Sequence, residues 1–140
     1  MTSNRARAEQ AAHRALALDS AQGSAWVALG VIRALRDGGP EGGSQLVRRG
    51  ISAEPASTEL HQQLAFQFQA EGKWAKARME IRLARQLDPL SPGLIGVEAY
   101  LNGCEGRFDE ALRLDRERLA VDPAGVGSQR GVVRTLARLG

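Results

Sequence analysis

A chain of 140 residues, 43% hydrophobic and 25% charged, is long enough for one globular domain and too apolar for disorder. One cysteine, Cys104, excludes an internal disulfide, the distant His13 and His61 make no metal-ligand cluster, and no apolar run approaches the roughly 20 residues of a membrane span. The net charge of +3 sits at one end: residues 1–122 hold 16 basic and 16 acidic side chains, and only Arg130, Arg134 and Arg138 follow.

Along the chain, Met1 to Gln10 lacks the hydrophobic stretch of a signal peptide, so a cytoplasmic protein is expected. The first element is an amphipathic helix from Asn4 to Leu18, which stops at Asp19-Ser20. An acidic residue followed by proline then marks Glu54-Pro55, 35 residues on, and returns at Asp88-Pro89 and Asp122-Pro123, each 34 residues after the last. That period is the signature of a repeat. Each interval holds two helices around a glycine-rich turn. A helix from Ser24 leads to a turn, Asp37 to Gly43, which carries four glycines and Pro40 and is expected to be loose. Leu60, Leu64 and Phe68 recur every four residues on one face of the next helix, and Gly72 supplies the left-handed residue that ends it. Ala77, Ile81 and Ala84 stripe a helix from about Trp74 to Leu87, which Pro89 stops. Ser91-Pro92 caps and opens another, and Gly106 turns the chain. Asp109-Glu110 favours the positive end of the helix that follows. A last helix runs from Val126 to Leu139. The chain thus divides into an unpaired helix at 4–20, complete repeats at 23–55, 57–89 and 91–123, and a terminal helix at 126–139.

Trp26, Leu29-Gly30, Trp74, Ala77, Ala84 and Pro89, and again Phe108, Ala111 and Pro123, resemble the pattern of the tetratricopeptide repeat (TPR) family. The resemblance implies an all-α fold: a right-handed α-solenoid of antiparallel helical hairpins, about eight helices in a single domain over residues 1–140. Gly30, Ala65, Ala77, Ala99 and Ala111 are small where neighbouring helices cross, and a larger side chain there is expected to overpack at about 1–3 kcal/mol. The sequence departs from the family at Glu98, which stands where leucine is usual. A half-buried glutamate needs a cation, and Arg78 or Arg82 of the preceding hairpin is the expected partner. The run Leu87-Asp88-Pro89-Leu90-Ser91-Pro92 also resembles arrays at the C-terminus of bacterial winged-helix regulators, which implies a sensing or scaffolding role.

In that family the first helix of each hairpin lines a concave groove. The resemblance therefore assigns partner contacts to Val27 and Val31, with Ala28 and Leu35, on the first such helix. Gln62, Gln63, Phe66 and Gln69 follow on the second, and Val97 and Tyr100, with Gly93, Gly96 and Cys104, on the third. Arg130, Arg134 and Arg138 complete the set on the last. An apolar middle, polar glutamines and a positive end suit a protein or peptide ligand that is acidic and carries an apolar anchor. The competing expectation is that Phe66, Val97 and Tyr100 only pack together and the arginines are a solvated face. The Lys and Asn with which some family members hold a C-terminal carboxylate are replaced here by Val, Gln and Gly.

No nucleophile, base and orienting group converge in the sequence, so no enzyme, cofactor or metal is expected. Gly38 to Gly43 lacks the Lys and Ser/Thr of a phosphate loop, and a neutral stretch of 122 residues argues against nucleic acid. His61 and Cys104 read as structural. A second expectation is self-assembly, with the unmatched first and last helices completing each other between chains to give a homo-oligomer.

Overall fold

The computed structural model describes residues 3–37 and 43–140; the expected loose turn lies largely outside them. Among the described residues there are eight helices and no strands. These are α1 (Asn4–Leu18), α2 (Gly23–Arg36), α3 (Gly43–Ala53), α4 (Thr58–Ala70), α5 (Trp74–Leu87), α6 (Pro92–Cys104), α7 (Phe108–Val121) and α8 (Val126–Leu139). The hairpins α2–α3, α4–α5 and α6–α7 make the most extensive helix–helix contacts, and each helix also packs on the next in sequence. First helices touch one another directly, α2 against α4 and α6 against α8. The architecture is a helical-repeat solenoid.

Local chemistry fixes the ends of these helices. Ser57 and Ser91 cap α4 and α6 by accepting from the amides of Leu60 and Leu94. Gly72 and Gly106 sit at φ +72° and +76°. At each, the residue after the glycine donates back into the helix, Lys73 to the Phe68 carbonyl and Arg107 to the Asn102 carbonyl, both at 2.7–2.9 Å. This is the Schellman arrangement, which only a residue tolerant of positive φ completes cheaply.

A second local device recurs at equivalent places. Trp26 Nε1 donates to the Ser20 carbonyl, His61 Nε2 lies 3.1 Å from the Pro55 carbonyl, and Gln129 Nε2 donates to the Pro123 carbonyl. In three of the four units a side chain in the first turn thus ties the incoming loop to the first helix. His61 is buried and its Nδ1 lies 2.8 Å from Glu80 Oε2, so this histidine is a clasp between α4 and α5.

The main core draws Val47 from α3, Leu64, Ala65 and Phe68 from α4, Ala77 and Ile81 from α5, and Leu101 from α6. It crosses repeat boundaries, so each hairpin is stable only against its neighbours. Burial of each large member contributes about 1.5–3 kcal/mol. The small residues sit where the crossings are tight: Ala65, Ala77, Ala99 and Ala111 are buried, and a Cβ on Gly30 would stand 2.9 Å from the Gly43 carbonyl oxygen.

Glu98 is 3% exposed and is held by Arg82 Nε at 3.2 Å and Arg85 Nη1 at 2.5 Å; Arg85 also reaches Glu117 at 2.5 Å. Arg82 is thus the partner expected from sequence. Arg78 is not: it points toward the α6–α7 turn and pairs with Glu105. Burial, with Arg107 and Arg82 nearby, lowers the Arg78 pKa. Arg85, about two turns beyond Arg78 along α5, is the second cation on Glu98.

The contact between α7 and α8 is polar. Asp115, Ser128 and Thr135 are buried, and Thr135 Oγ1 donates to Asp115 Oδ2 at 2.7 Å. Gly131 leaves the room that Asp115 occupies.

Candidate partner-binding groove

The four first helices α2, α4, α6 and α8 carry all the residues assigned to partner contact. Their buried stripes are Ala25, Leu29 and Ile32; Leu60, Leu64 and Phe68; Leu94, Ile95 and Leu101; and Ser128, Gly131 and Thr135. Rotating off each stripe decides which of the assigned side chains reach solvent.

On α2, Val31 is exposed, but Val27 is half-buried and packs against the main core. On α4, Gln62, Gln63 and Gln69 are half-buried and Phe66 is 36% exposed. On α6, Tyr100 is 41% exposed, whereas Val97 packs against the same core as Val27. Gly96 is covered: a Cβ there would meet the Arg118 guanidinium, which reaches from α7 between α6 and α8 and passes Gly127 equally closely. Arg130, Arg134 and Arg138 are all exposed, because the buried stripe of α8 faces Asp115 instead.

Two features draw these residues into one surface. Gln69 Nε2 donates to the Tyr100 hydroxyl at 3.1 Å, which ties α4 to α6 across a repeat boundary. Beyond Tyr100 opens a small cleft lined by Tyr100, Gly103, Cys104, Phe108, Arg134, Thr135 and Arg138. The aromatic middle and the arginine end therefore meet, with Tyr100 shared between them. Phe66 and Tyr100 stay open to solvent, while Val97 alone of the three apolar residues is taken up by the core. Phe108 and Gly103, absent from the sequence-based assignment, complete the cleft. Phe108 opens α7 and its role as a turn aromatic concealed its second contact. Cys104 is exposed at the cleft mouth.

The sequence matches no family model, and no curated protein matches it. Its backbone is similar to several solved structures. A thermophilic TPR protein of Thermus thermophilus superposes with a TM-score of 0.78 at 19% identity, over 94% of this chain and 71% of that one. The fold is that of a TPR array. The first TPR of Spaghetti (RPAP3), bound to the HSP90 peptide SRMEEVD, matches at TM-score 0.71 and 16% identity over 86% of this chain and 95% of that chain. The second TPR domain of human RPAP3, in complex with the HSP70 peptide SGPTIEEVD, matches at TM-score 0.63 and 18% identity over 74% and 86%.

The array holds, among the described residues, no group of three histidine, cysteine or carboxylate side chains able to bind a metal. No described helix is long and apolar enough to cross a membrane.

Proposed function

We propose that this chain is a protein-interaction module that docks an extended or helical segment along α2, α4, α6 and α8, the segment being acidic and carrying an apolar anchor. The observation that carries the reading is the cleft beyond Tyr100, where an aromatic ring, Phe108 and two arginines line one opening. An apolar side chain seats against the rings, and carboxylates on either side of it meet Arg134 and Arg138. The peptides bound by the two RPAP3 domains, SRMEEVD and SGPTIEEVD, have that composition in those proteins. The Val, Gln and Gly at the carboxylate-clamp positions favour an internal segment over a free C-terminus. The resemblance of residues 87–92 to arrays of bacterial winged-helix regulators favours a sensing or scaffolding setting in the cytoplasm.

A phage-displayed random-peptide library selected on the purified chain tests this. Enrichment of peptides pairing acidic residues with one large apolar residue, lost when Phe66 and Tyr100 are both replaced by Glu, is the expected result. Enrichment of no acidic class, or equal enrichment on the double variant, overturns it.

A second reading, self-assembly, is favoured by α8 itself. Val126, Val133, Leu136 and Leu139 are exposed, Val133 at 68%; Val133, Leu136 and Leu139 lie off the arginine stripe, which Val126 continues at four residues before Arg130. Light scattering across a hundredfold concentration range distinguishes the two. Growth in mass abolished by Val133→Glu with Leu136→Glu supports assembly through α8, and constant mass removes it.

A further inference from the structure

The solenoid has a second opening, on the face made by the second helices rather than the first. Between α3 and α5, over α4, lies an open groove lined by Arg48, Ile51 and Ser52, by His61, Leu64 and Phe68, and by Lys76, Met79, Glu80 and Leu83. Its rim is apolar and wet: Met79 is 55% exposed and Leu83 is exposed as well. Two cations flank it, Arg48 at 5.1 Å and Lys76 at 5.8 Å from the centre of the Phe68 ring. Among the described residues neither pairs with a carboxylate.

The repeat supplies an internal control. Thirty-four residues later, the equivalent positions in the gap between α5 and α7 are Arg82, Arg85, Glu98, Glu110, Arg113 and Glu117 in place of Arg48, Ile51, Leu64, Lys76, Met79 and Leu83. There the same gap is closed by the chain's own charges. Arg82 and Arg85 hold Glu98, Arg85 holds Glu117, and Arg113 holds both Glu110 and Glu117. Between α3 and α5 only Arg48 keeps the charge of its counterpart: Lys76 stands in place of Glu110, and Ile51, Leu64, Met79 and Leu83 replace the charged Arg85, Glu98, Arg113 and Glu117, so the cations are left without the bridging carboxylates. Carboxylates and apolar area are therefore both wanting from outside. An apolar edge of Ile51, Met79 and Leu83 flanked by cations is suited to an amphipathic helix whose apolar stripe is bordered by acidic residues.

We infer that the α3–α5 groove is a second docking site, taking an acidic amphipathic helix of a partner protein. The helix lays its apolar stripe on Ile51, Met79 and Leu83 and its carboxylates against Arg48 and Lys76. This site is separate from the groove of first helices and stands whether or not that groove binds. The array then holds two partners on opposite faces, or two segments of one.

The test uses a fluorescein-labelled designed helix with leucine at i, i+3, i+4 and i+7 and glutamate elsewhere, titrated with the intact chain by fluorescence anisotropy. Saturable binding is expected. It is weakened about tenfold or more by Met79→Glu with Leu83→Glu, and severalfold by Lys76→Gln, with less salt dependence. These effects are read in a Phe66→Glu, Tyr100→Glu background, where saturable binding is expected to persist because the first-helix groove no longer competes for the same probe. These positions are exposed or rim residues, and an unaltered helical circular dichroism spectrum confirms that the variants fold. Absence of saturable binding overturns the inference, as does binding lost in the Phe66/Tyr100 variant but kept in the Met79/Leu83 variant. The library selection on the first-helix groove has its own readout, so either site fails independently of the other.

Discussion

Glu98 gives the sharpest test of how the array is held together. Its side chain is 5% exposed, and its two cations differ: Arg85 is 18% exposed and Arg82 59%. The bond to Arg82 is therefore largely solvated and contributes little, while that to Arg85 is shielded. Replacing Glu98 with leucine removes one partner of a buried pair, which costs about 3–5 kcal/mol, and the new side chain returns about 2 kcal/mol by its own burial. The net loss is about 2 kcal/mol, or a fall of about 8 °C in Tm for a chain of this size. Glu98→Leu combined with Arg85→Ile and Glu117→Leu reproduces the residues found 34 positions earlier, Leu64, Ile51 and Leu83. Replacing a whole buried ionic group by apolar residues is neutral or stabilising, so the triple variant is expected within about 1 kcal/mol of the parent. Thermal and urea unfolding followed by far-ultraviolet circular dichroism measure both. A single variant as stable as the parent, or a triple variant no better than the single, refutes the reasoning.

Two other outcomes follow from local features. A Cβ added to Gly72 meets nothing within 4 Å, so Gly72→Ala exposes the conformational cost of φ +72° alone; a loss of about 1 kcal/mol is expected, with Gly72→Asn losing less, and equal stability of all three by urea unfolding contradicts it. The hydrogen bond from Arg113 holds the Glu110 carboxyl below its ordinary pKa, and in turn raises that of Arg113. A depressed folded value means stability that is in place above the ordinary glutamate pKa and is lost as pH falls through the lower one. Glu110→Gln therefore lowers Tm near neutral pH, and the difference from the parent closes in strong acid; a gap independent of pH contradicts the pairing.

The fold was legible because its determinants are local and periodic. The acidic–proline pairs fix the period, Gly72 and Gly106 are read directly as left-handed caps, and Leu60, Leu64, Phe68, Ala77, Ile81 and Ala84 mark buried faces that the structure buries. Long side chains were less legible. Arg78, Arg82 and Arg85 share one face of α5 at i, i+4 and i+7, and position along the helix separates them: Arg78, near its start, meets Glu105 just past the end of α6, while Arg82 and Arg85, further on, meet Glu98. Val27 and Val97 sit at the edge of the apolar stripe, where a small helix rotation decides between core and surface, and both turn toward the core. The polar seam of Asp115, Ser128 and Thr135 gave no signal, because buried polar residues break the pattern by which a face is recognised. The meeting of Tyr100 with Arg134 and Arg138 depends on how α6 and α8 lie side by side, a relation no single helix encodes. The groove between α3 and α5 became visible only when one repeat was set against the next.

The proposed docking face for an acidic, apolar-anchored segment is the one made by the first helices α2, α4, α6 and α8. The most direct measurement is a titration of the 15N-labelled chain with a peptide recovered from the library selection, followed by amide chemical shifts. Perturbations centred on Phe66, Gln69, Tyr100, Arg134 and Arg138 are expected. Shifts confined to other faces of the array, or none at saturating peptide, would contradict the account.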